Sequence, residues 1–168
     1  MTKKSILPLA VATLIGFPLL GFIIHFFVFD TSFFSLFISK TNLALEFLVG
    51  VGSGLCFGYV GWQIISIKFM HPVFTKYQAL VKNFEMDTNL IFFVSFCAGF
   101  GEEVFFRGVL QPIIGIWVTA ILFVAIHGYL NPKDWRISIY GIYLTLVIVV
   151  IGYFSEYFGL TSAIISHM

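Results

Sequence analysis

Long apolar runs interrupted by isolated charges set the pattern of this chain. Lys4 and Asp30 enclose 25 uncharged residues, Glu46 and Lys68 enclose 21, Arg107 and Lys133 enclose 25, and Arg136 and Glu156 enclose 19. Each run supplies the roughly 20 apolar residues that a membrane-crossing helix needs. Asp87 and Glu102 enclose only 14, so that segment spans only if its helix continues through Glu102, Glu103 and Arg107. After Glu156, 12 residues remain, too few to cross. The pattern predicts an all-α polytopic membrane bundle with about six transmembrane segments, five spanning or near-spanning and the last one truncated. It forms a single integral membrane domain over residues 1–168. The opening Met-Thr-Lys-Lys looks signal-like, but residues 5–29 are long enough to span and lack a small-residue cleavage site. A retained helix is expected there.

Residues 72–86 follow a different pattern. At 100° per residue, Val73, Phe74, Tyr77, Leu80, Val81 and Phe84 fill one arc, and Thr75, Lys76, Gln78, Lys82, Asn83 and Glu85 fill the rest. Pro72 suits a first helical turn. The expectation is an amphipathic helix in the membrane interface, serving as a platform for a membrane-attached substrate or as a plain connector resting on lipid. In the second apolar run Gly50, Gly54 and Gly58 recur at spacing four, a face on which another helix of the same chain can pack closely.

Composition narrows the class. The 168 residues are 60% hydrophobic and only 10% charged, with a mean hydropathy of +1.02. A soluble domain carries about 25% charged residues, so a soluble globular protein is excluded, and so is disorder. Nine basic against eight acidic residues leave +1, which gives no reason to expect a nucleic-acid partner. Cys56 and Cys97 both lie in apolar runs, with no disulfide framework or zinc-finger spacing. Lys3 and Lys4, then Lys68, Lys76 and Lys82, then Lys133 and Arg136 fall on one side of the membrane, against Lys40 on the other. The N-terminus is therefore expected to be cytoplasmic.

Three charges stand where an apolar helix should run. Each costs at least ~2.5–3.5 kcal/mol near the bilayer centre. Glu103 and Arg107, four apart with the acid first, form a favourable helical pair. Glu102, turned 100° away, has no such partner, and an unpaired intramembrane carboxylate is a functional candidate. His127 is the matching polar group in the next run. The midpoint between 102 and 127 falls in Pro112-Ile-Ile-Gly115, the strongest break signal nearby. A turn there puts both residues about 18 Å from it and level with each other. Glu102, Glu103 and His127 are thus expected to line one polar cavity, with a helix break between Gly108 and Gly115. His167, about two turns past Gly159, is the third candidate. His25 and His71 read as structural.

Glu102-Glu103-x-x-x-Arg107, then Phe123-x-x-x-His127, then His167 after Gly159, resembles the type II CAAX prenyl endopeptidase family, also called CAAX protease and bacteriocin-processing, or Abi. The resemblance covers roughly residues 88–168. It implies an intramembrane, glutamate-dependent protease (a hydrolase) that trims prenylated CAAX proteins or, in bacterial members, serves bacteriocin processing or self-immunity. By matching position, Glu102 would be the general base, His127 would help hold the attacking water, and His167 would help bind the oxyanion. Glu103, Arg107 and Phe123 would support them. The resemblance implies no cofactor and no metal, and no His-Glu-x-x-His spacing exists. The implied partners are the lipid bilayer and a membrane-associated peptide or protein substrate, prenylated in the CAAX branch. The expected location is a bacterial plasma membrane.

The family's last motif is His-x-x-x-Asn or Asp, whose final position would be 171, beyond Met168. The resemblance therefore implies either a piece of a longer protein or a shortened member lacking one oxyanion donor, with activity reduced accordingly. Two other readings compete. One is a non-catalytic family member that acts by binding, as an immunity or scaffold protein. The other is a proton-coupled transporter using Glu102 and His127 as a relay, which the absence of repeated halves disfavours.

Overall fold

A computed structural model describes residues 3–82, Phe84 and 86–168, with the side chains of residues 3–5, 80 and 81 outside that description. Among the described residues the chain is all-helical apart from turns and loops. In order come α1 (Lys3–Val28), a 3-10 turn at Phe33–Phe37, α2 (Leu43–Ser66), α3 (His71–Lys82), α4 (Thr88–Phe105), a π-helical turn at Phe106–Leu110, α5 (Gln111–Ile114), α6 (Ile116–Ile126), α7 (Trp135–Tyr157) and α8 (Leu160–His167). Asn42 and Asp87 start α2 and α4 by accepting from the backbone N–H three residues on, at 2.8 Å in each case.

Among the described residues, four helices are long and apolar enough to cross a membrane: Ile6–Val28, Leu43–Ser66, Thr88–Ile114 and Trp135–Tyr157. Large side chains cover their outer faces. Phe27, Leu55 and Phe92 leave 80%, 71% and 67% of their surface uncovered by protein, as side chains facing lipid do. The protein is an integral membrane protein of the all-α bundle class.

Of the five segments expected to span or nearly span, four are long enough and the fifth is short. The third span absorbs the start of the fourth apolar run, passing through the charged residues and the π turn as far as Ile114. Gly115 then breaks the run at φ +82°, a conformation that L side chains rarely adopt. The 11 residues of α6 that follow reach only about 16 Å. The break thus falls at the far edge of the stretch expected for it.

The amphipathic helix also differs. It spans His71–Lys82 rather than 72–86, and the residues expected at Asn83 and Glu85, with the Leu80 and Val81 side chains, lie outside the described residues. Met70 and Val73 are buried against Ile137, with Tyr77 packed beside Tyr129 and Tyr140. Its apolar side thus rests largely on the bundle rather than on lipid. A hydrophobic arc looks the same in sequence whichever surface covers it.

The apolar centre consists of Phe105, Phe106, Ala120, Phe123, Val124, Ile148, Val149, Ile151 and Ala163. These come from α4, the π turn, α6, α7 and α8, so the core lies directly behind the charged residues.

Candidate active site

The last helix carries the last candidate residue, and missing side chains draw that helix into place. A Cβ on Gly50 would lie 2.7 Å from the Ile165 side chain, one on Gly54 3.0 Å from the Ser166 carbonyl, and one on Gly99 3.0 Å from the Ile164 carbonyl. The glycines of α2 and α4 therefore let α8 lie between those helices at backbone contact, and Ser53 Oγ donates to Ser166 Oγ at 2.9 Å. Two of the three evenly spaced glycines thus pack within the chain, with α8 as the partner. On the other side of α4, Gly101 lets the α1 backbone at Thr13 come equally close.

These contacts bring His167 over the paired glutamates. Its Nδ1 lies 2.8 Å from Glu103 Oε1, and Arg107 Nε lies 3.1 Å from Glu103 Oε2. Glu103 is completely buried, with one oxygen on each partner. The Phe106 N–H reaches the carbonyls of both Glu102 and Glu103, where the helix widens into the π turn. Such turns recur at functional sites. The Arg107 guanidinium is buried, none of its three nitrogens has a hydrogen-bond partner in the protein, and its contact with Glu103 is an ion pair. It lies 5.3 Å from the centre of the Phe123 ring, a cation–π contact that offsets part of its desolvation.

Glu102 has no such close partner. Its Oε2 lies 3.6 Å from His127 Nε2 and 3.9 Å from His167 Nε2, both beyond direct hydrogen-bond length. The other nitrogen of each ring is already engaged. His127 Nδ1 lies 2.7 Å from the Phe123 carbonyl, which can only accept, so Nδ1 carries the proton. Nδ1 of His167 faces a carboxylate and likewise carries one. In their neutral forms both rings therefore turn a bare Nε2 lone pair toward Glu102. Three acceptors converge on one small space, an arrangement that a molecule with two donor hydrogens would satisfy.

Phe123 joins the parts. Its ring stacks on His127 at 4.4 Å and meets His167 edge-on at 5.5 Å. The structure thus brings all six residues singled out in the sequence into one cluster: Glu102, Glu103, Arg107, Phe123, His127 and His167. The two remaining histidines lie apart from it. His25 is buried and stacked on Phe29 at 4.8 Å, and His71 starts α3.

The expected polar cavity needs correction. A cavity of about 840 Å³ opens beside the cluster, lined by Phe123, His127 and His167 but by neither glutamate, and its walls are mostly aliphatic and aromatic. The carboxylates sit behind the histidines. Among the described residues, no group of three or more His, Cys, Asp or Glu is arranged to hold a metal ion.

Sequence reasoning missed two features. Glu103 has a second partner 64 residues away, His167, which no local spacing could signal. Glu46, completely buried one turn into α2, reads in sequence as a mere boundary of the apolar run. It accepts from Ser39 Oγ and from the Lys40 N–H, and lies against Gly159 at the start of α8.

An uncharacterized protein of Bacillus subtilis, YpbD, is 36% identical over 69 residues, which cover 41% of this chain and 34% of that relative. The match thus spans about a third of the curated relative's length. No solved structure matches the chain. The family described as type II CAAX prenyl endopeptidase Rce1-like matches residues 85–168, half of the chain and every residue of the cluster. The chain belongs to the type II CAAX prenyl endopeptidase Rce1-like family.

Proposed function

We propose that this protein is an intramembrane, glutamate-dependent endopeptidase that cleaves a membrane-attached peptide or protein near its C-terminus. The observation that carries the reading is Glu102 Oε2 facing two histidine Nε2 atoms at 3.6 and 3.9 Å. A water held at that point donates to Glu102 and to His127. As its oxygen attacks the scissile carbonyl carbon, the released proton passes to Glu102, acting as general base. His167 in its protonated form donates from Nε2 to the oxyanion of the tetrahedral intermediate. Glu103 supports that form by accepting from Nδ1, while Arg107 holds Glu103 ionised and in place. Collapse of the intermediate breaks the C–N bond, and the proton on Glu102 moves to the leaving amine. The products are a carboxylic acid and an amine, and the acid's proton, the second from the water, passes to the amine so that they leave as carboxylate and ammonium. The basic stretches at Lys3–Lys4, 68–82 and 133–136 support a cytoplasmic N-terminus.

The test uses the protein reconstituted in lipid with peptides ending in a prenylated cysteine plus three residues. Cleavage should survive exhaustive chelation and disappear in Glu102→Gln and His127→Ala. Glu102→Gln should still bind the peptide, because the carboxylate acts on water in the transition state rather than on the bound ground state. Loss of activity on chelation with rescue by zinc would transfer the reaction to a metal. Full activity of Glu102→Gln in the host would replace catalysis by binding.

A further inference from the structure

His167 stands at one end of α8, and a group of contacts outside the candidate site holds the other end. The loop 39–42 supplies most of them. Lys40 Nζ donates to the Ser155 and Glu156 carbonyls at 3.2 Å, and Thr41 Oγ1 donates to the Phe158 carbonyl at 3.3 Å, so the loop is tied to the end of α7. Ser39 Oγ and the Lys40 N–H donate to Glu46 Oε1. Held in this way, the completely buried Glu46 carboxylate reaches Gly159, the residue that starts α8. A Cβ on Gly159 would lie 2.6–2.7 Å from both carboxylate oxygens and the carbon between them. Glycine is required there twice over, since φ is +127°, a conformation that L side chains rarely adopt.

α8 does not cap itself. Gly159 has no side chain to offer, and no side-chain hydrogen bond caps the helix. Its eight residues extend about 12 Å, too short for a helix that is stable on its own. Glu46 Oε2 has no hydrogen-bond partner in the protein, so what it brings to Gly159 is negative charge, at the positive end of the α8 dipole. Lys40 places positive charge at the negative end of α7. The loop and Glu46 thus match both helix ends that meet at Phe158 and Gly159. The glycines of α2 and α4 hold the sides of α8, and Glu46 is the contact at its start. We infer that Glu46 is a positioning residue: its carboxylate anchors the start of α8 and so fixes where His167 Nε2, a helix length away, stands relative to Glu102. The inference rests on the endopeptidase reading for the work of His167. It gives a part in that work to α2, which lies outside the residues matched by the family.

The test reads the seating of α8 separately from turnover. Protein in lipid nanodiscs carries Ser53→Cys and Ser166→Cys, at positions whose hydroxyls lie 2.9 Å apart, with Cys56→Ala removing the thiol one turn along α2. Mild oxidation then joins α2 to the last turn of α8, at a rate that reports how steadily the two stay together. Adding Glu46→Ala should slow this cross-link. With both serines in place, Glu46→Ala should lower kcat for the prenylated peptide roughly tenfold to a hundredfold per folded molecule, as a misplacement of about 1 Å does, with KM changed less than about twofold. Glu46→Gln keeps an acceptor for Ser39 and Lys40 but removes the charge, and should show both effects in reduced size. Glu156→Gln is the control, because it removes an exposed carboxylate at the same junction and should change neither rate. If Glu46→Ala yields no folded protein, Glu46→Gln alone decides. Unchanged cross-linking, unchanged kcat per folded molecule, or a rise in KM alone would overturn the assignment, since Glu46 would then only support the fold. Slower cross-linking on loss of Glu46, in a protein that cleaves no peptide even with Glu46 intact, would leave the anchor standing and remove the endopeptidase reading.

Discussion

Glu102 and Glu103 are neighbours in sequence, yet their surroundings differ completely. Glu103 is closed, with Arg107 on one oxygen at 3.1 Å and His167 on the other at 2.8 Å, and no exposed surface. Glu102 keeps 11% of its side chain exposed, and its nearest charged or chargeable partners stand at 3.6 and 3.9 Å. A step of 100° round one helix separates an acid enclosed by two partners from an acid left partly open. The lesson is that a pair of intramembrane carboxylates should be divided by their partners rather than counted as one motif. A carboxylate whose oxygens are both taken is unavailable to water.

The largest expected effect tests the open side. Glu102→Gln keeps the shape and removes the base, so cleavage of the prenylated peptide should fall by about 10²–10⁴-fold, while thermal unfolding in lipid stays unchanged. Glu102→Ala should leave folding intact or improve it. Arg107→Ala tests the closed side. It strands Glu103 as an uncompensated buried charge and should cost about 3–5 kcal/mol of stability, read as loss of folded protein in detergent. Equal loss of folded protein in Glu102→Ala and Arg107→Ala would break the comparison, because the two glutamates would then share one structural role.

Much of this division is legible in the sequence because it depends on short spacings. Glu103 and Arg107 pair at four residues along one helix, and Pro112 to Gly115 marks the break that brings His127 back to the level of Glu102. The rest depends on tertiary contact. An apolar run reports composition, so Arg107 to Lys133 reads as a single span, although Gly115 divides it between the third span and a short helix. The arc on α3 reads the same whether lipid or Ile137 covers it. The cavity was expected to be polar because it was built from the charged residues, whereas its walls come from α2 and α7. The link from Glu103 to His167 arises only when α8 lies against the glycines of α2 and α4.

Glu46 sharpens the comparison, since it is buried as fully as Glu103 but paired less completely. It accepts from Ser39 Oγ and the Lys40 N–H, while its other oxygen has no hydrogen-bond partner in the protein and lacks the ion pair that Arg107 gives the second oxygen of Glu103. Lys40 Nζ separately donates to the Ser155 and Glu156 carbonyls at 3.2 Å, tying the same loop to the end of α7. Glu46→Ala leaves two donors unpaired but also removes an unsatisfied oxygen. Its cost should be about 1–3 kcal/mol, less than that of Arg107→Ala, measured by the same unfolding experiment. A cost equal to that of Arg107→Ala would mean that burial alone, rather than completeness of pairing, decides how much a membrane carboxylate supports the fold.

The smallest effect concerns how α8 is held between the two glutamates, Glu46 against its first turn and Glu103 at its last residue. Ser53 Oγ donates to Ser166 Oγ at 2.9 Å, one residue before His167. The same hydroxyl lies 2.6 Å from the Val49 carbonyl, so its removal gives up a shared hydrogen bond. Ser53→Ala should cost only about 0.5–1.5 kcal/mol. Cleavage should fall with it, though far less than in Glu102→Gln, because the loosened end of α8 carries the proposed oxyanion donor. The loss should appear mainly in kcat, since His167, one residue past Ser166, acts on the transition state. A rise in KM alone would instead separate the seating of α8 from the positioning of His167.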